Sequence, residues 1–311
     1  MVFIMEHFVV GLDGGGTKTA IEMRSLGGRV LLREETDGLN INSHTQEELI
    51  ITIGKIVSYI SDMEGGISSC DKICLSTAGV SNPKAKAFFS SLFREMGVLC
   101  EIIIVGDQEG ALYGALGKGE GIILISGTGS ICYGRNREGI SARSGGFGHL
   151  IDDEGSGYAI GRDILSQAVK SYDKRIPKSI LYDLVLAHIE GNGIEDIIYY
   201  TYKSNSSKKD IASLSPLLLE GLKLEDEAAM NICIKASNEL ATLILTVARE
   251  LNIWSGEVAL LGGILRNYPQ IRNLVINIVK EQLPELVIVE AKHDSATGAV
   301  LIALDKVKHN I

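Results

Sequence analysis

The chain contains one short pattern twice: an apolar run, a glycine turn with a threonine, and a second apolar run. The first copy spans residues 8–24 around Gly14-Gly15-Gly16, and the second spans 122–135 around Gly127-Thr128-Gly129. Each copy predicts a β-hairpin whose turn is bare backbone. Two such hairpins so far apart indicate an internal duplication at domain scale, with the boundary at 117–121. The chain is therefore expected to fold as two related domains.

The segments that follow each hairpin alternate between strand and helix, which favours parallel pairing beyond the hairpin. A mostly helical insertion, at about 177–253, interrupts the second copy. We predict an α/β fold with two domains, 1–118 and 119–311, in which mixed sheets are flanked by helices. The final helix, from Ser295, belongs by sequence to the second domain and is free to pack back on the first.

Charge and cysteine content narrow the class of protein. The 39 acidic residues outnumber the 30 basic ones, which gives a net charge of −9. This balance argues against a nucleic-acid partner or an anionic membrane surface. No apolar run approaches the ~18 residues of a membrane span, and the first residues lack the pattern of a secretion signal. Five scattered cysteines without a CxxC motif predict a reducing compartment, so we expect a cytoplasmic protein with neither a membrane nor a nucleic-acid partner.

The two glycine turns have the chemistry of phosphate-binding loops. Bare backbone lets N–H groups converge on an anion and lets a bulky anion come close. We assign Gly15, Gly16, Thr17, Lys18, Thr128 and Gly129 to the phosphates of a nucleotide. Asp13 ends the first strand and would repel a phosphate, so we assign it to Mg²⁺ through water. The alternative is a pair of ordinary hairpin turns.

A third glycine site, Gly262-Gly263, follows a strand and precedes a helix. It would give adenine or ribose room against the backbone, whereas the alternative is close packing of helix on strand. Three glycine loops that each follow an apolar strand favour a nucleotide-binding protein.

Five motifs then occur in an order that resembles one known family. They are Leu12-Asp13-Gly-Gly-Gly-Thr17-Lys, Gly106-Asp107, Ser126-Gly-Thr-Gly-Ser130, Gly145-Gly146-Phe147-Gly148-His149-x-x-x-Asp153-Glu154-Gly155-Ser156 and Leu261-Gly262-Gly263. Together they resemble the N-acetylglucosamine kinase branch of the BadF/BadG/BcrA/BcrD ATPase family, in the actin/hexokinase/Hsp70 superfamily. The resemblance implies two ribonuclease-H-like (actin-like ATPase) domains with a cleft between them, and the use of ATP and Mg²⁺.

The resemblance also implies roles for individual residues. Asp107, between a strand and a helix, aligns with the catalytic base of the family, and Glu109 is the rival carboxylate. As a helix N-cap, Asp107 would need no catalytic explanation. Asn42 is the best match to the family's sugar-binding asparagine, with Asn40 as a close competitor.

The glycine-rich stretch of the second domain, by the same resemblance, binds the sugar through Gly145, Gly146 and Asp153. A solvated acidic turn before a helix is the alternative for residues 152–154. Asp152 has no assigned role, and His149 is expected to fix the loop.

The function implied is transfer of a phosphoryl group from ATP to the 6-hydroxyl of an N-acetylated amino sugar. The substrate is N-acetylglucosamine, N-acetylmuramic acid or both. The resemblance places such a kinase in the salvage of amino sugars or cell-wall sugars, and we expect a homodimer. The alternatives are a glucosamine kinase, an ATPase activator of the same family, or a nucleotide-dependent sensor. The activators hold an iron–sulfur cluster through cysteines near the third glycine loop, and Gly262-Gly263-Ile264-Leu265-Arg266 contains none.

Overall fold

A computed structural model describes residues 6–204 and 207–308. Residues 1–5, on which the expectation about a secretion signal partly depends, lie outside the described residues. The chain divides into two compact units: the first unit is Met1–Glu120 with Ala291–Ile311, and the second unit is Gly121–Glu290. The fold of each unit is built on one five-stranded sheet.

The first unit begins with a meander of three strands and continues with alternating helices and strands. Its elements up to residue 120 are β1 (Phe8–Gly14), β2 (Lys18–Ser25), β3 (Val30–Asp37), α1 (Gln46–Ser61), β4 (Cys70–Thr77), α2 (Pro83–Glu95), β5 (Glu101–Val105) and α3 (Asp107–Leu116). The sheet order is β3-β2-β1-β4-β5, antiparallel in the meander and parallel from β1 to β5.

Local sequence signals explain why these helices begin where they do. Thr45 and Glu48 form a capping box at α1: Glu48 N–H donates to Thr45 Oγ1 (3.3 Å) and Thr45 N–H donates to Glu48 Oε2 (2.8 Å). Pro83 opens α2 at a position where its missing N–H costs no hydrogen bond. The apolar faces of both helices enter one core with β1 and β4.

The second unit repeats this plan with more helices. Its elements are β6 (Gly121–Ser126), β7 (Ser130–Arg135), β8 (Ser141–Gly145), α4 (Gly157–Tyr172), α5 (Leu181–Ile189), α6 (Ile194–Tyr202), α7 (Lys208–Ala212), α8 (Leu217–Lys223), α9 (Glu227–Glu250), β9 (Gly256–Leu261), α10 (Gly263–Asn267), α11 (Pro269–Gln282) and β10 (Leu286–Val289). The short helix α10 was not predicted from the sequence.

The two sheets have the same topology. The second is ordered β10-β9-β6-β7-β8, with the β6-β7-β8 meander antiparallel and β6-β9-β10 parallel. In chain order, β6 to β10 therefore take the places of β1 to β5. Two mixed sheets flanked by helices confirm the predicted α/β fold class.

The final helix, α12 (Ser295–Lys308), packs in the first unit on β1 and α3. A Cβ atom at Gly11 of β1 would lie 2.4 Å from the Val300 nitrogen, and one at Gly298 would lie 1.9 Å from the Gly110 oxygen. Glycine is therefore required on both sides of this contact. Thr297 Oγ1 also donates to the fully buried carboxylate of Glu22 on β2 (2.7 Å).

Two observations concern the environment of the chain. Across residues 6–204 and 207–308, no helix combines the length and apolar character needed to cross a bilayer. All five cysteines are free, although Cys70 Sγ and Cys100 Sγ lie only 3.8 Å apart.

Candidate functional site

The carboxyl ends of the three parallel strands in the first unit meet at one edge of the sheet. Asp13 on β1 lies opposite Ser76 on β4. The Ser76 hydroxyl donates to the Gly106 carbonyl (3.2 Å), directly after β5. Asp13 and Asp107 therefore share this edge, where ligands commonly bind in open α/β sheets.

Negative charge accumulates at this edge. Burial, together with the charges of Asp107 and Asp294, raises the pKa of Asp13 to about 6, and Lys18 opposes the shift only in part. Burial also raises the pKa of Asp107. Such an arrangement of carboxylates favours a cation or a shared proton.

Asp294, just before α12, is a member of this group that the sequence analysis missed. Burial alone would raise the pKa of Asp294, but hydrogen bonds from Thr297 and the nearby Arg33 lower it. Its carboxylate accepts from Thr297 N–H (2.9 Å), as a helix-capping residue does. The Asp294-x-x-Thr297 spacing signals the cap, but its place near Asp13 depends on the return of the final helix.

The β1–β2 turn presents its backbone outward. The Gly15 carbonyl accepts from the N–H groups of Leu39 and Asn40, and His44 Nε2 lies 3.0 Å from the Gly16 carbonyl oxygen. In the part of the chain that the structure describes, the N–H groups of Gly16 and Thr17 meet no backbone acceptor. The Gly15 and Gly16 carbonyls thus have partners within the protein, whereas the N–H groups of the exposed residues Gly16 and Thr17 are left for a ligand. Unpaired backbone N–H groups of this kind suit an anion.

Lys18 follows this turn at the start of β2, and its side chain is exposed. Its ammonium group forms an ion pair with Glu35 on the neighbouring strand β3. The predicted phosphate ligand is therefore paired with a carboxylate that an anion would have to displace.

The loop after β3 distinguishes Asn42 from its competitor. The Asn40 side chain accepts from the Asn42 N–H (2.9 Å), which occupies it within the turn. Asn42 is exposed, and its amide lies against Gly79, where a Cβ atom would come within 2.6 Å of Nδ2. Of the two asparagines, Asn42 is the more exposed.

Asp107 and Glu109 also differ in whether the side chain is engaged in a local hydrogen bond that caps the helix. Asp107 is the first residue of α3, after the N-cap Gly106, so the alternative of Asp107 as the N-cap is wrong. Glu109 Oε1 accepts from the Gly106 N–H (3.4 Å), so it closes the helix end. The Asp107 carboxylate accepts from the adjacent Gln108 N–H (3.1 Å), and the residue is exposed to solvent.

In the second unit, the Gly127-Thr128-Gly129 turn is held against the start of α4. The carbonyls of Gly127 and Thr128 accept from Gly157 N–H (2.7 Å) and Tyr158 N–H (3.3 Å). Thr128 itself is exposed. The turn is therefore anchored to the start of the helix through its carbonyls, and the Thr128 side chain is open to a ligand.

Gly262 lies directly behind this turn. A Cβ atom there would come within 2.2 Å of the Ser126 oxygen, and its φ of 94° also favours glycine. Gly263 is exposed and begins α10. The close-packing interpretation therefore accounts for Gly262, while Gly263 is open to a ligand.

The stretch 145–156, which we call the signature loop, begins where β8 ends. Gly145 pairs with Ile131 on β7, close to Gly129, and both Gly145 and Gly146 have positive φ angles of 78° and 76°. His149 packs edge-on against Tyr158, with ring centroids 4.7 Å apart. Asp152 accepts from Phe147 N–H (2.9 Å), so it closes the loop.

Asp153 is the most constrained residue of the signature loop. It is 3% exposed and has a left-handed φ of 65°, a conformation that costs energy for a residue other than glycine. Its carboxylate accepts from Lys208 Nζ (3.0 Å) and, at 3.5 Å, from Ser130 N–H. Asp153 thus connects the signature loop, the 127–129 turn and α7.

Within the described ranges 6–204 and 207–308, no group of three or more His, Cys, Asp or Glu side chains could hold a metal ion. A metal here would need ligands beyond the protein. Mg²⁺ meets that requirement, since it keeps several waters and binds through one or two carboxylates and phosphates.

Two mixed sheets, each with a glycine turn after its first strand, define an α/β protein of two similar units. A family model, the BadF/BadG/BcrA/BcrD ATPase family, matches residues 10–303. The chain belongs to this family, as its five motifs predicted.

Two relatives agree with this family assignment, and a solved structure shares the fold. An N-acetylmuramic acid/N-acetylglucosamine kinase of Clostridium acetobutylicum is 39% identical over 299 residues, 95% of this chain and 98% of that protein. An N-acetyl-D-glucosamine kinase of Dictyostelium discoideum is 34% identical, over 97% and 99%. A crystal structure of a candidate N-acetylglucosamine kinase from Chromobacterium violaceum shares the fold, with a TM-score of 0.71 at 24% identity over 96% and 99% of the two chains.

Proposed function

We propose that the protein is an ATP-dependent kinase that phosphorylates the 6-hydroxyl of an N-acetylated amino sugar: N-acetylglucosamine, N-acetylmuramic acid or both. One observation carries the chemistry: the accessible carboxylate of Asp107 shares a sheet edge with Asp13 and the outward-facing turn 15–17. The printed names of the two relatives above 30% identity support the sugar class.

In this proposal Asp107 is the catalytic base. Its carboxylate accepts the proton of the 6-hydroxyl while the oxygen attacks the γ-phosphorus. The hydroxyl becomes acidic only as the new P–O bond forms, so the base needs position more than a strongly raised pKa. The capping role of Glu109 leaves Asp107 as the accessible carboxylate of α3.

The first unit contributes the turn and the metal carboxylate. Gly15, Gly16, Thr17 and Lys18 bind phosphate oxygens, with Lys18 exchanging Glu35 for phosphate. Asp13 would hold Mg²⁺ through water, and its raised pKa supports this role because the carboxylate lacks a full countercharge. Mg²⁺, when bound, neutralises charge on the phosphoryl group that is transferred.

The second unit contributes Thr128 and Gly129 to phosphate and Gly262 and Gly263 to the nucleoside. The anchored 127–129 turn supports the first pair. The exposure of Gly263 and the tight packing of Gly262 support the second, in which Gly262 lets the backbone approach.

We assign Asn42, Gly145, Gly146 and Asp153 to the sugar. The exposed amide of Asn42 supports its choice over Asn40. The positive φ angles of Gly145 and Gly146 favour glycine, and the absence of a side chain lets a sugar ring approach the backbone. Asp153 keeps acceptor capacity beyond its two hydrogen bonds.

Two alternatives have specific tests. A relative named as a glucosamine kinase of Vibrio cholerae, 24% identical over 98% of this chain, favours glucosamine as a second candidate substrate. An activator or sensor would hydrolyse or bind ATP without sugar. The stretch Gly262-Gly263-Ile264-Leu265-Arg266 contains no cysteine, which argues against a cluster-bearing activator.

The deciding experiment measures ADP release with ATP and Mg²⁺ in the presence of N-acetylglucosamine, N-acetylmuramic acid, glucosamine or glucose. We expect release that depends on an N-acetylated sugar, with a sugar 6-phosphate seen by mass spectrometry. Hydrolysis that no sugar stimulates would refute the kinase, and preference for glucosamine would move the assignment to the alternative substrate.

We also propose a cytoplasmic homodimer. Five free cysteines support a reducing compartment. Light scattering on the purified protein measures the mass directly, and a mass of 33.5 kDa, that of a single chain, would refute the dimer.

A further inference from the structure

The second unit contains a cavity that none of the assignments above uses. It has a volume of about 530 Å³ and lies between one face of α4 and residues of the helices α6 and α7. Such a volume suits a small molecule or a substantial part of one.

The lining of this cavity carries one sign of charge. Arg162, Lys170, Arg175 and Lys208 line it, and none of the described lining residues is acidic. Arg162 and Arg175 are already paired with carboxylates outside the lining, Glu154 and Asp173. Lys170 makes no ion pair with any residue in 6–204 or 207–308. The cavity therefore favours an anionic occupant.

One end of the cavity reaches the signature loop. His149 of that loop lines it, and so does Tyr158, against which His149 packs. Lys208 lines the same cavity while its ammonium group donates to Asp153 (3.0 Å). A ligand group in this end would thus lie one side chain away from a residue that we assign to the sugar.

The remaining walls are largely apolar, with Leu165, Val169, Ile197 and Ile211 among them. A carboxylate on a short carbon linker matches such a mixed lining better than a free inorganic ion does. The linker covers apolar wall while the carboxylate meets Lys208 and Arg162.

We propose that this cavity is the subsite for a carboxylate carried by the sugar on a short ether linker, as in N-acetylmuramic acid, and that Lys208 and Arg162 recognise the carboxylate. The inference rests on the proposed function and refines it, since it states which structural feature would admit the acidic sugar. Lys208 would then bridge the substrate carboxylate and Asp153.

The test compares kcat/KM for N-acetylmuramic acid with kcat/KM for N-acetylglucosamine. We expect Lys208→Gln and Arg162→Gln each to lower this ratio by about tenfold or more, the range for a lost hydrogen bond between charged groups. Lys209→Gln removes the same charge from a neighbouring exposed residue outside the lining, and we expect it to leave the ratio unchanged. The methyl ester of N-acetylmuramic acid keeps the bulk of the substituent but lacks its charge. We therefore expect neither variant to change kcat/KM for the ester relative to kcat/KM for N-acetylglucosamine.

Several results would overturn the proposal. In one such result, Lys208→Gln lowers kcat/KM equally for both sugars and Arg162→Gln leaves the ratio of the two values unchanged. Lys208 would then only position Asp153, and the cavity would not bind the carboxylate. If free lactate or inorganic phosphate altered the rate with N-acetylglucosamine while both variants kept the ratio, the cavity would be a site for a separate anion. If the wild-type protein phosphorylated N-acetylglucosamine but not N-acetylmuramic acid, the subsite would be refuted and the kinase function would not. If it phosphorylated none of the sugars, both proposals would be refuted.

Discussion

Asp13 occupies a position that is unfavourable for a charged carboxylate in the ligand-free protein. Its pKa, about 6, lies above the ordinary value of 3.8 because of burial and the charges of Asp107 and Asp294. A carboxyl group whose pKa is raised on folding binds its proton more tightly in the folded state. Its contribution to the free energy of unfolding is therefore most favourable below pH 3.8 and becomes less favourable as the pH rises through 6.

We expect Asp13→Asn to stabilise the ligand-free protein at pH 7.5, by at most about 3 kcal/mol at ~1.4 kcal/mol per pKa unit. The gain should shrink toward pH 4, where the wild-type side chain is protonated. Urea unfolding at the two pH values measures it, with the surface substitution Glu64→Gln as the control. An effect that does not vary with pH would contradict the electrostatic origin.

In the proposed mechanism, the chemistry depends on Asp107. We expect Asp107→Asn to lower kcat by about 10²–10⁴-fold, the usual contribution of a general base. The affinity for ATP should stay within severalfold, because the amide keeps the size of the carboxylate. Glu109→Gln should retain activity within severalfold, since Glu109 caps the helix. Wild-type kcat in the Asp107 variant would exclude it as the base.

At the scale of elements, the contact of α12 with α3 and β1 depends on glycines. Cβ atoms at Gly110 and Gly114 of α3 would lie 2.3 Å from Ser76 Oγ and 2.2 Å from the Asp294 oxygen. With Gly298 facing them across the contact, the helices approach with backbone against backbone. A methyl group added in this contact would have to displace α12, α3 or β1 as a whole.

We therefore expect Gly298→Ala to lower the free energy of unfolding by about 3 kcal/mol, at the upper end of overpacking effects. Gly54→Ala in α1 is the matched control, because its Cβ atom would have its nearest neighbour, Met96 Cε, at 4.0 Å. That substitution should stabilise by roughly 0.5–1 kcal/mol through helix propensity. Thermal unfolding compares the two, and equal shifts would show that space at residue 298 is unimportant.

Most elements could be predicted from the sequence because their signals are local. The hairpin turns, the Thr45–Glu48 capping box and the proline that opens α2 each act within a few residues. The ion pair between Asp153 and Lys208, the proximity of Asp294 to Asp13 and the glycine contacts of α12 could not be predicted. Each joins segments far apart in sequence, so no periodicity encodes it.

At the scale of the whole molecule, the first unit is built from two separate parts of the chain. Val9 and Cys74 are buried in a cluster with Ala299, Val300 and Ala303 of the final helix. Removing residues 291–311 would expose this face of the sheet and release Arg33 and Glu22 from Thr297.

We expect the chain that ends at residue 290 to lose the cooperative unfolding of the first unit and all sugar-dependent ADP release. Differential scanning calorimetry of the shortened and full chains measures the first effect, and the sugar assay measures the second. A shortened chain with the unfolding profile and activity of the full one would contradict this account.

The return of the final helix also sets an order of events during synthesis. Residues 8–116 leave the ribosome long before residues 295–308 exist, so the apolar face around Val9 and Gly11 has no native cover while the second unit emerges. Domains usually fold as they emerge from the ribosome, from the N-terminus onward. Here the second unit, Gly121–Glu290, is a continuous segment that can fold first, whereas the unit carrying Asp13 and Asp107 closes last. A ribosome that stops early would therefore release a chain whose first unit is incomplete.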